Sequence, residues 1–465
     1  MNATDIATGP VSGKEARKVV PRSAHANWEP AVDRRGPLAI LAEQDETRVP
    51  QLVPVRYGRM LASAFTFYRG AAGIMAADLA AAPDSGLRVQ LCGDAHLSNF
   101  GVFQAPDRRL VFDVNDFDET LPGPFEWDVK RLAASVAIGA RDRGFTTAEG
   151  EAASLAAAAA YRTAMAEFAA MGELDVWYSR LDIVDTLTAW QDKVTKAERR
   201  RVTKNMEKAR NKGSLRALAK LTETVDGKVR IASRPPLLVP VAELAVREGL
   251  DPAATITMME RLLDQYRDTL DDQARVLAGR YRFVDAAHKV VGVGSVGTRA
   301  WIALLLGRDE SDPLFLQIKE AGPSVLEPFA GASQFSHCGQ RVVAGQRLTQ
   351  AAGDLLLGWL TAEGPDGKKR DFYVRQLWDG KGSAEIESMS ASTMADYARL
   401  CGLTLARGHA RSGDPRAIAA YLGKSDSFDR AIVQFSEAYA DQNEADYAVV
   451  MAAEAAGELT VERGL

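Results

Sequence analysis

Residues 87–119 read LRVQLCGDAHLSNFGVFQAPDRRLVFDVNDFDE, and this stretch decides the expected fold. A short apolar run, LRVQLCG, leads into a polar loop, and a second apolar run, LVFDV, follows the turn APDRR. Short runs of this kind, bounded by turn residues, predict a strand and a hairpin. The loop and the end of the hairpin carry the polar side chains Asp94, His96, Asn99, Asp116 and Asp118.

Carboxylates and an amide at such positions are typical of phosphoryl transfer from a nucleotide. One carboxylate must orient or deprotonate the attacking hydroxyl, while an amide and a second carboxylate hold Mg²⁺ against the phosphates. Oxygen ligands suit this hard cation, so no soft ligand cluster is needed. Alternatively, Asp94 and Asn99 are turn residues whose side chains hydrogen-bond to their own backbone. This is disfavoured because Asp116 adds a second carboxylate to the same pattern.

A glycine-rich segment lies much later in the chain, at 292–297 (GVGSVG), and Lys319 follows on the run LFLQIKE. Glycines let backbone N–H groups approach a triphosphate closely, and a lysine on a strand supplies a point charge. The segment lies between two β-like runs rather than before a helix, which argues against a dinucleotide-binding fold. The later lysine favours a kinase-type glycine loop over a plain tight hairpin.

GDAHLSN resembles the catalytic loop of the aminoglycoside phosphotransferase and choline kinase group, whose pattern runs Gly-Asp-x-His-x-x-Asn, and NDFDE resembles their metal-binding Asp-Phe segment. EWDVKRLAAS is similar to the start of their next helix, which implies that Asp128 is a structural anchor. The resemblance implies Asp94 as catalytic base, with His96 beside it as a catalytic-loop or structural residue. It implies that Mg²⁺ is held by Asn99, Asp116 and, as a further candidate, Asp118. It also implies that the phosphates of ATP are contacted by Gly292, Gly294, Ser295, Gly297 and Lys319.

The order of these motifs is reversed relative to ordinary kinases, where the glycine loop comes first. We therefore expect an α+β, two-lobed, protein-kinase-like fold that is circularly permuted. The expected parts are a partly ordered tail (1–50), a mostly helical catalytic lobe (51–280), a small β-rich nucleotide-binding lobe (281–380) and C-terminal helices that complete the large lobe (381–465). A linear alternative, with HARSGD at 409–414 as catalytic loop, fails because Ala419 stands where Asn is required.

The chain from about 56 to 447 also resembles a widespread bacterial family known only as a domain of unknown function. The shared blocks are GDAHLSNFG, NDFDET, GVGSVGTR and LARGHARSGD. This resemblance covers most of the chain, whereas the kinase resemblance rests on short motifs.

Lys319 lacks an obvious acidic partner of the kind that kinases place on a helix. The helical run RVVAGQRLTQ offers Arg341 and Gln346 but no acid, and Glu320 points to the other face of its strand. Cys92 also stands where the antibiotic kinases often have His. The run VRQLWD, 374–379, is either an edge strand or a hinge that meets adenine.

We predict an ATP- and Mg²⁺-dependent phosphotransferase that acts on a hydroxyl or amine of a small molecule or a protein. A catalytically silent, pseudokinase-like nucleotide-binding regulator and an AMP transferase on the same scaffold are the alternatives. A two-metal phosphatase is disfavoured because the chain has only five histidines.

Composition is that of an ordinary globular protein. The 465 residues are 46% hydrophobic and 26% charged with a net charge of −5, so nothing predicts nucleic acid or a membrane surface as partner. Cys92, Cys338 and Cys401 are widely spaced, which fits a reducing compartment. No secretory or membrane-spanning apolar stretch is present, so we expect a cytoplasmic protein whose partners are a nucleotide and an unidentified acceptor.

Overall fold

The computed structural model of the chain describes residues 12–183, 213–290, 296–364, 366–377 and 382–464, which form a mixed α+β protein. The helices are α1 (Gly13–Val19), α2 (Pro37–Asp45), α3 (Val53–Met60), α4 (Ala64–Arg69), α5 (Ala72–Ala80), α6 (Phe125–Asp142), α7 (Thr147–Ala170), α8 (Glu173–Tyr178), α9 (Ser214–Leu221), α10 (Val241–Arg247), α11 (Pro252–Asp268), α12 (Asp272–Ala278), α13 (Glu327–Ala330), α14 (Cys338–Thr349), α15 (Ala391–Ser412), α16 (Pro415–Leu422) and α17 (Ser427–Ala455). The strands are β1 (Arg88–Leu91), β2 (Phe100–Gln104), β3 (Leu110–Val114), β4 (Leu121–Pro124), β5 (Leu181–Asp182), β6 (Thr222–Val225), β7 (Lys228–Ile231), β8 (Leu238–Pro240), β9 (Arg282–Lys289), β10 (Ala300–Leu306), β11 (Pro313–Ala321), β12 (Gly358–Glu363), β13 (Lys369–Gln376) and β14 (Gly382–Ser383).

A six-stranded antiparallel sheet forms one part of the fold, in the order β12-β13-β11-β10-β9-β8. Leu305 and Val374 pack on one face, in a core shared with α11 and α12. Ile302 and Phe315 pack on the other face, in a core shared with α9. Burial on both faces needs near-continuous apolar strands, and the runs IALLL and PLFLQI supply them.

This sheet draws on more of the chain than the 281–380 segment expected for a β-rich lobe. Strand β8 and helices α9 to α12 precede residue 281, and they cover or extend the sheet. These elements are needed because a sheet whose strands are apolar on both faces is stable only if both faces are covered. Asp226-Gly227 between two short β-like runs predicts a hairpin. The structure confirms it, and both residues have positive φ, 50° and 71°.

The helical part is built on α6, α7, α15 and α17, which pack side by side. The sequence predicts one helix from Glu126 to about Met171, but the structure has two. The break comes at Gly144, whose φ is +71°, and at Thr146, whose side chain caps α7. The sequence also predicts helix over 56–82, and the structure divides it into α3, α4 and α5, because Ser63 forms a capping box and Gly70 ends α4. The helices expected from Ser390 onward are confirmed.

The N-terminal segment packs against the C-terminal helices from Ser12 onward. Arg17 donates from Nε to the carbonyl of Tyr421 at 2.9 Å, and His25 Nε2 lies 2.7 Å from the Tyr421 hydroxyl. Arg34 pairs with Asp78 at 2.6 Å and with Asp446 at 2.7 Å. The described part of the segment expected as a partly ordered tail is therefore a packed portion of the helical part.

Two smaller sheets contain the strands on either side of the GDAHLSN loop. Strands β1 and β4 pair with each other, and the hairpin β2–β3 lies between β14 and β5.

The three cysteines are free, and Cys92 and Cys401 are buried. Within the described ranges, no helix is both long enough and apolar enough to cross a membrane.

Candidate functional site

The loop after β1 is held by one buried carboxylate, Asp128, in the first turn of α6. Its oxygens accept hydrogen bonds from the backbone N–H of Cys92 at 2.8 Å and of Gly93 at 3.1 Å. His409 on α15 lies 3.2 Å away through Nε2, and its Nδ1 contacts the Tyr161 hydroxyl at 2.9 Å. Asp128 thus ties the loop to two helices, which is the anchoring role that the sequence predicted for it.

Asp94 is oriented by Arg131, which lies one turn along α6 from Asp128. Arg131 donates from Nε to Asp94 Oδ1 at 2.9 Å, and its Nη2 forms an ion pair with the same oxygen at 2.8 Å. The Asp94 side chain is 18% exposed, and burial raises its pKa to about 6, although Arg131 opposes the shift. The negative charges of Glu119 and Asp116 raise this pKa further. The acidic loop that follows β3 and carries these two residues therefore lies within electrostatic reach of Asp94. The Asn99 side chain donates to the Asp94 carbonyl at 2.7 Å and braces the loop.

His96 is buried beside Asp94. Its Nε2 is 3.6 Å from Asp94 Oδ2, beyond a good hydrogen bond, and its Nδ1 has no hydrogen-bond partner in the described part of the chain. Burial lowers the pKa of His96 well below its ordinary value, and the charges of Arg69 and Arg131 add to the effect. Both effects favour the neutral form of the His96 imidazole.

The acidic loop after β3 meets the six-stranded sheet through Lys319. Lys319 donates from Nζ to Asp118 Oδ2 at 2.7 Å and lies 3.6 Å from Asp116 Oδ2. The hydroxyl of Tyr373 donates to the other oxygen of Asp118, also at 2.7 Å. Burial by itself would lower the pKa of Lys319, but Asp116 and Asp118 raise it above its ordinary value. The acidic partner that the sequence did not reveal is therefore a carboxylate of the NDFDE segment.

Strand periodicity explains why these side chains face the acidic loop. Lys319 on β11 and Tyr373 on β13 are directly opposite in the register, as are Gln317 and Arg375. Residues two apart share a face, so the four form one polar patch on this face of the sheet. Arg375 donates to the Asn115 carbonyl at 3.0 Å and joins this patch to the loop. Glu320 pairs instead with Arg299 at 3.2 Å and Arg370 at 3.5 Å on the opposite face, which confirms the expected direction of its side chain.

Helix α14 supports the acidic loop from a third direction. The guanidinium of Arg341 donates to the backbone carbonyls of Asp118 at 2.8 Å, Thr120 at 2.7 Å and Gly322 at 2.9 Å. Helix α14 therefore supplies the cation Arg341, which binds backbone carbonyl oxygens. It does not supply an acidic side chain that pairs with Lys319. Its bonds fix the turn that carries Asp118.

The glycine-rich segment lies in sequence between β9 and β10, which pair antiparallel. Gly292, Gly294 and Ser295 lie outside the described residues. Gly297 has φ +91°, and its carbonyl accepts a hydrogen bond from the N–H of Val49 at 2.8 Å. Arg48 bonds the carbonyl of Val296. The end of the glycine segment is therefore attached to the N-terminal segment.

The run VRQLWD is not an edge strand over its described part. Val374 pairs with Ile318 on one side and with Gly358 on the other, so β13 is internal. Trp378 and Asp379 lie outside the described residues, and the hinge interpretation stays a prediction. Arg411 on α15 stacks on the ring of Trp177 at 4.0 Å.

Asp116 and Asp118 are the carboxylates at this site that offer oxygen ligands of the kind Mg²⁺ prefers. Among the described residues, no three or more His, Cys, Asp or Glu side chains stand close enough to hold a metal ion. Mg²⁺ with a nucleotide usually takes one or two carboxylates and completes its shell with phosphates and water. Asp116 and Asp118, whose side chains are 30% and 29% exposed beside the buried Lys319, meet that requirement with oxygen ligands.

The structure brings Asp94, Asn99, Asp116, Asp118 and Lys319 into one region. Gly297 lies between β9 and β10, and Lys319 is on the next strand, β11. Sequence reasoning missed Arg131 and Tyr373. Arg131 could have been found because it lies three residues after Asp128 and so on the same helix face. Tyr373 could have been found because it alternates with Phe372 and Val374 in an apolar strand.

The fold and site define a mixed α+β protein in which a helical part and an antiparallel sheet meet at a cluster of aspartates and one buried lysine. The chain belongs to the family described as "Uncharacterized protein conserved in bacteria (DUF2252)", whose model matches residues 48–453. Searches of curated proteins and of solved structures gave no match.

Proposed function

We propose that the protein is an ATP- and Mg²⁺-dependent phosphotransferase on a circularly permuted, kinase-like scaffold. The observation that carries the proposal is the contact of Lys319 with Asp118 and Asp116, which joins the sheet to the loop beside Asp94. Phosphoryl transfer needs a lysine, metal-binding carboxylates and a base close together, and these residues supply them. The acceptor would be a hydroxyl or amine of a small molecule or a protein.

The order of elements around Lys319 supports a kinase-like arrangement. The glycine-rich segment lies between β9 and β10, Lys319 is on the next strand, β11, and α14 follows. In protein kinases a glycine-rich loop likewise precedes a lysine on the third strand, and a helix comes after it.

A permuted order is also sterically reasonable. The backbone N–H of Glu462, beyond α17, bonds the carbonyl of Pro54 at the start of α3 at 2.9 Å. The end of the C-terminal helices thus adjoins the beginning of the segment that carries Asp94. Permutation is tolerated where chain ends lie close together at the surface.

In this proposal Asp94 accepts the proton of the acceptor group. Arg131 occupies Oδ1, so Oδ2 is the oxygen that remains for the proton. A pKa of about 6 keeps the carboxylate ionised at neutral pH while leaving it basic enough to act. Asp116 and Asp118 would hold Mg²⁺, which when bound neutralises charge on the phosphates. Lys319 would bind phosphate oxygens from the sheet side.

One observation favours the silent nucleotide-binding alternative. Asp118 is already bonded by both Lys319 and Tyr373, and kinases pair this lysine with a helix glutamate instead. A regulator of this kind would bind nucleotide without turnover. AMP transfer on the same scaffold would show instead as an acceptor that gains AMP.

The test is calorimetric titration of ATP with and without Mg²⁺ on the wild type, Asp116→Ala and Asp107→Ala. Asp107 is the matched control, because it lies on the same hairpin but pairs at the surface with Arg180. We expect Mg²⁺-dependent binding that Asp116→Ala weakens and Asp107→Ala leaves unchanged. Absence of binding of any nucleotide to the wild type would remove the proposal. Binding without turnover over many acceptors would establish the silent alternative.

A further inference from the structure

The N-terminal segment holds the end of the glycine-rich segment by two hydrogen bonds and one packing contact. The backbone N–H of Val49 donates to the carbonyl of Gly297 at 2.8 Å. Nη1 of Arg48 donates to the carbonyl of Val296. The stem of Arg48 also lies across Gly297, where a built Cβ would be 3.0 Å from Arg48 Cβ and 3.1 Å from its Cδ. Backbone and side-chain contacts therefore fix the same two residues of the glycine-rich segment.

Residues 45–49, which we call the brace, are themselves fixed to the helical part. Asp45 accepts hydrogen bonds from Arg56 Nη1 at Oδ1 and from the Tyr57 hydroxyl at Oδ2, both at 2.6 Å. Its backbone carbonyl accepts from the N–H of Arg48 at 3.0 Å, and Arg48 Nε lies 3.8 Å from Asp45 Oδ1. The Arg56 side chain is fully buried and that of Arg48 is 11% exposed, so salt screens these contacts little. Helix α3 thus anchors the turn that carries Arg48.

The residues that the brace holds lead directly to Lys319. Ala300, the first residue of β10, lies opposite Lys319 in the register of β10 and β11. Gly297 precedes Ala300 by three residues, which span at most about 11 Å. This connection is itself bonded, since the N–H of Glu320 donates to the carbonyl of Arg299 at 2.9 Å. A displacement of Gly297 would therefore change the position of the glycine-rich segment relative to Lys319.

We propose that Arg48 is a positioning residue for nucleotide binding, which holds the glycine-rich segment where its backbone N–H groups meet the phosphates. The inference rests on the proposed function, because the ligand is the triphosphate of that function. Backbone N–H groups bind phosphate when they converge on it, and a misplacement of about 1 Å can cost about a hundredfold in rate. Arg48 acts through the segment, because its Nη1 is already bonded to a carbonyl oxygen.

Thermodynamic linkage gives the proposal a second consequence. If the brace favours nucleotide binding, the nucleotide must favour the brace by the same factor. The N–H of Val49 reports the state of the brace, because its acceptor, Gly297, belongs to the glycine-rich segment. Exchange of this amide hydrogen with solvent should therefore slow when ATP and Mg²⁺ are bound. A merely structural role of Arg48 would not produce this response.

The experiment combines calorimetric titration of ATP with Mg²⁺ and hydrogen exchange at Val49, followed by mass spectrometry on the full chain. Arg48→Met keeps an apolar stem over Gly297 but removes the donor, and Arg48→Lys restores one donor. Arg35→Met is the matched control, because Arg35 pairs at the surface with Glu43 and its side chain is 48% exposed. Exchange is measured with and without ATP and Mg²⁺.

We expect Arg48→Met to weaken ATP binding about tenfold, because a charge-assisted hydrogen bond to Val296 is lost. Arg48→Lys should recover most of this affinity, and Arg35→Met should bind ATP as the wild type does. Without nucleotide, the Val49 amide should exchange faster in Arg48→Met than in the wild type. In the wild type, bound ATP should slow this exchange by at least about tenfold.

ATP binding by Arg48→Met that is as tight as that of the wild type would overturn the positioning role. Exchange at Val49 that bound ATP leaves unchanged in the wild type would overturn it too, as would Arg48→Lys binding no better than Arg48→Met. In these cases the wild type still binds ATP, so the proposed function stands. If the wild type binds no nucleotide, the proposed function fails and the positioning role fails with it. The wild-type exchange measurement decides the proposal by itself if Arg48→Met does not fold.

Discussion

Replacing Gly93 by alanine tests whether the stability of the fold and the position of Asp94 depend on the close approach of the GDAHLSN loop to the acidic loop. Gly93 has φ +85°, a backbone conformation that residues with a Cβ rarely adopt. A Cβ built there would lie 2.2 Å from the carbonyl oxygen of Glu119 and 2.6 Å from its carbonyl carbon. Both atoms are backbone, so the clash cannot be relieved by a rotamer change.

The expected loss has two parts. The left-handed conformation costs about 1 kcal/mol for a non-glycine residue. Forcing a methyl group into a filled contact typically costs about 1–3 kcal/mol more. We therefore expect Gly93→Ala to lower the free energy of unfolding by about 2–4 kcal/mol and to move Asp94 away from Asp116 and Asp118.

Gly86→Ala is the matched control. Gly86 has φ +74°, similar to Gly93, but a Cβ there meets nothing within 4 Å. Urea denaturation of both variants separates the conformational part from the clash. If Gly93→Ala loses no more stability than Gly86→Ala and binds nucleotide as the wild type does, the inferred contact between the two loops is refuted.

Three further predictions concern the same region. Asp94→Asn should be more stable than the wild type by about 1–3 kcal/mol at pH 8 and equally stable near pH 4. The reason is that burial raises the pKa of Asp94 to about 6, so its stabilising contribution is complete below pH 3.8 and is lost as the pH rises through 6; urea melts that show no such pH dependence would contradict this. Asp128→Ala should lose about 3–5 kcal/mol, because two backbone N–H groups and a histidine lose their acceptor. Asp142→Ala, at the exposed end of the same helix, should stay within about 0.5 kcal/mol in the same assay, and equal losses would refute the anchoring role. Tyr373→Phe should lose about 1 kcal/mol by thermal or urea unfolding, because one hydrogen bond to Asp118 is removed, and an unchanged midpoint would show that the bond contributes nothing.

Local features of the chain could be derived from the sequence. The apolar runs before and after GDAHLSN predict β1 and the β2–β3 hairpin, and Asp226-Gly227 predicts the β6–β7 turn, because each depends on residues close together in the chain. The direction of the Glu320 side chain followed from strand alternation alone. The lengths of the helices were less well predicted, since alanine-rich runs carry weak signals at Ser63 and Thr146, where caps divide them.

The sequence by itself determined which residues form the polar loops, which strand carries Lys319 and which face that lysine shares with Gln317. Only the tertiary structure decided that the partner of Lys319 is Asp118, which is 201 positions away, and that Tyr373 joins the same carboxylate. It also decided that the segment before residue 50 packs on the C-terminal helices and reaches Gly297. The physical reason is that periodicity and turn chemistry act over a few residues, whereas ion pairing between loops depends on how separate apolar faces are buried together.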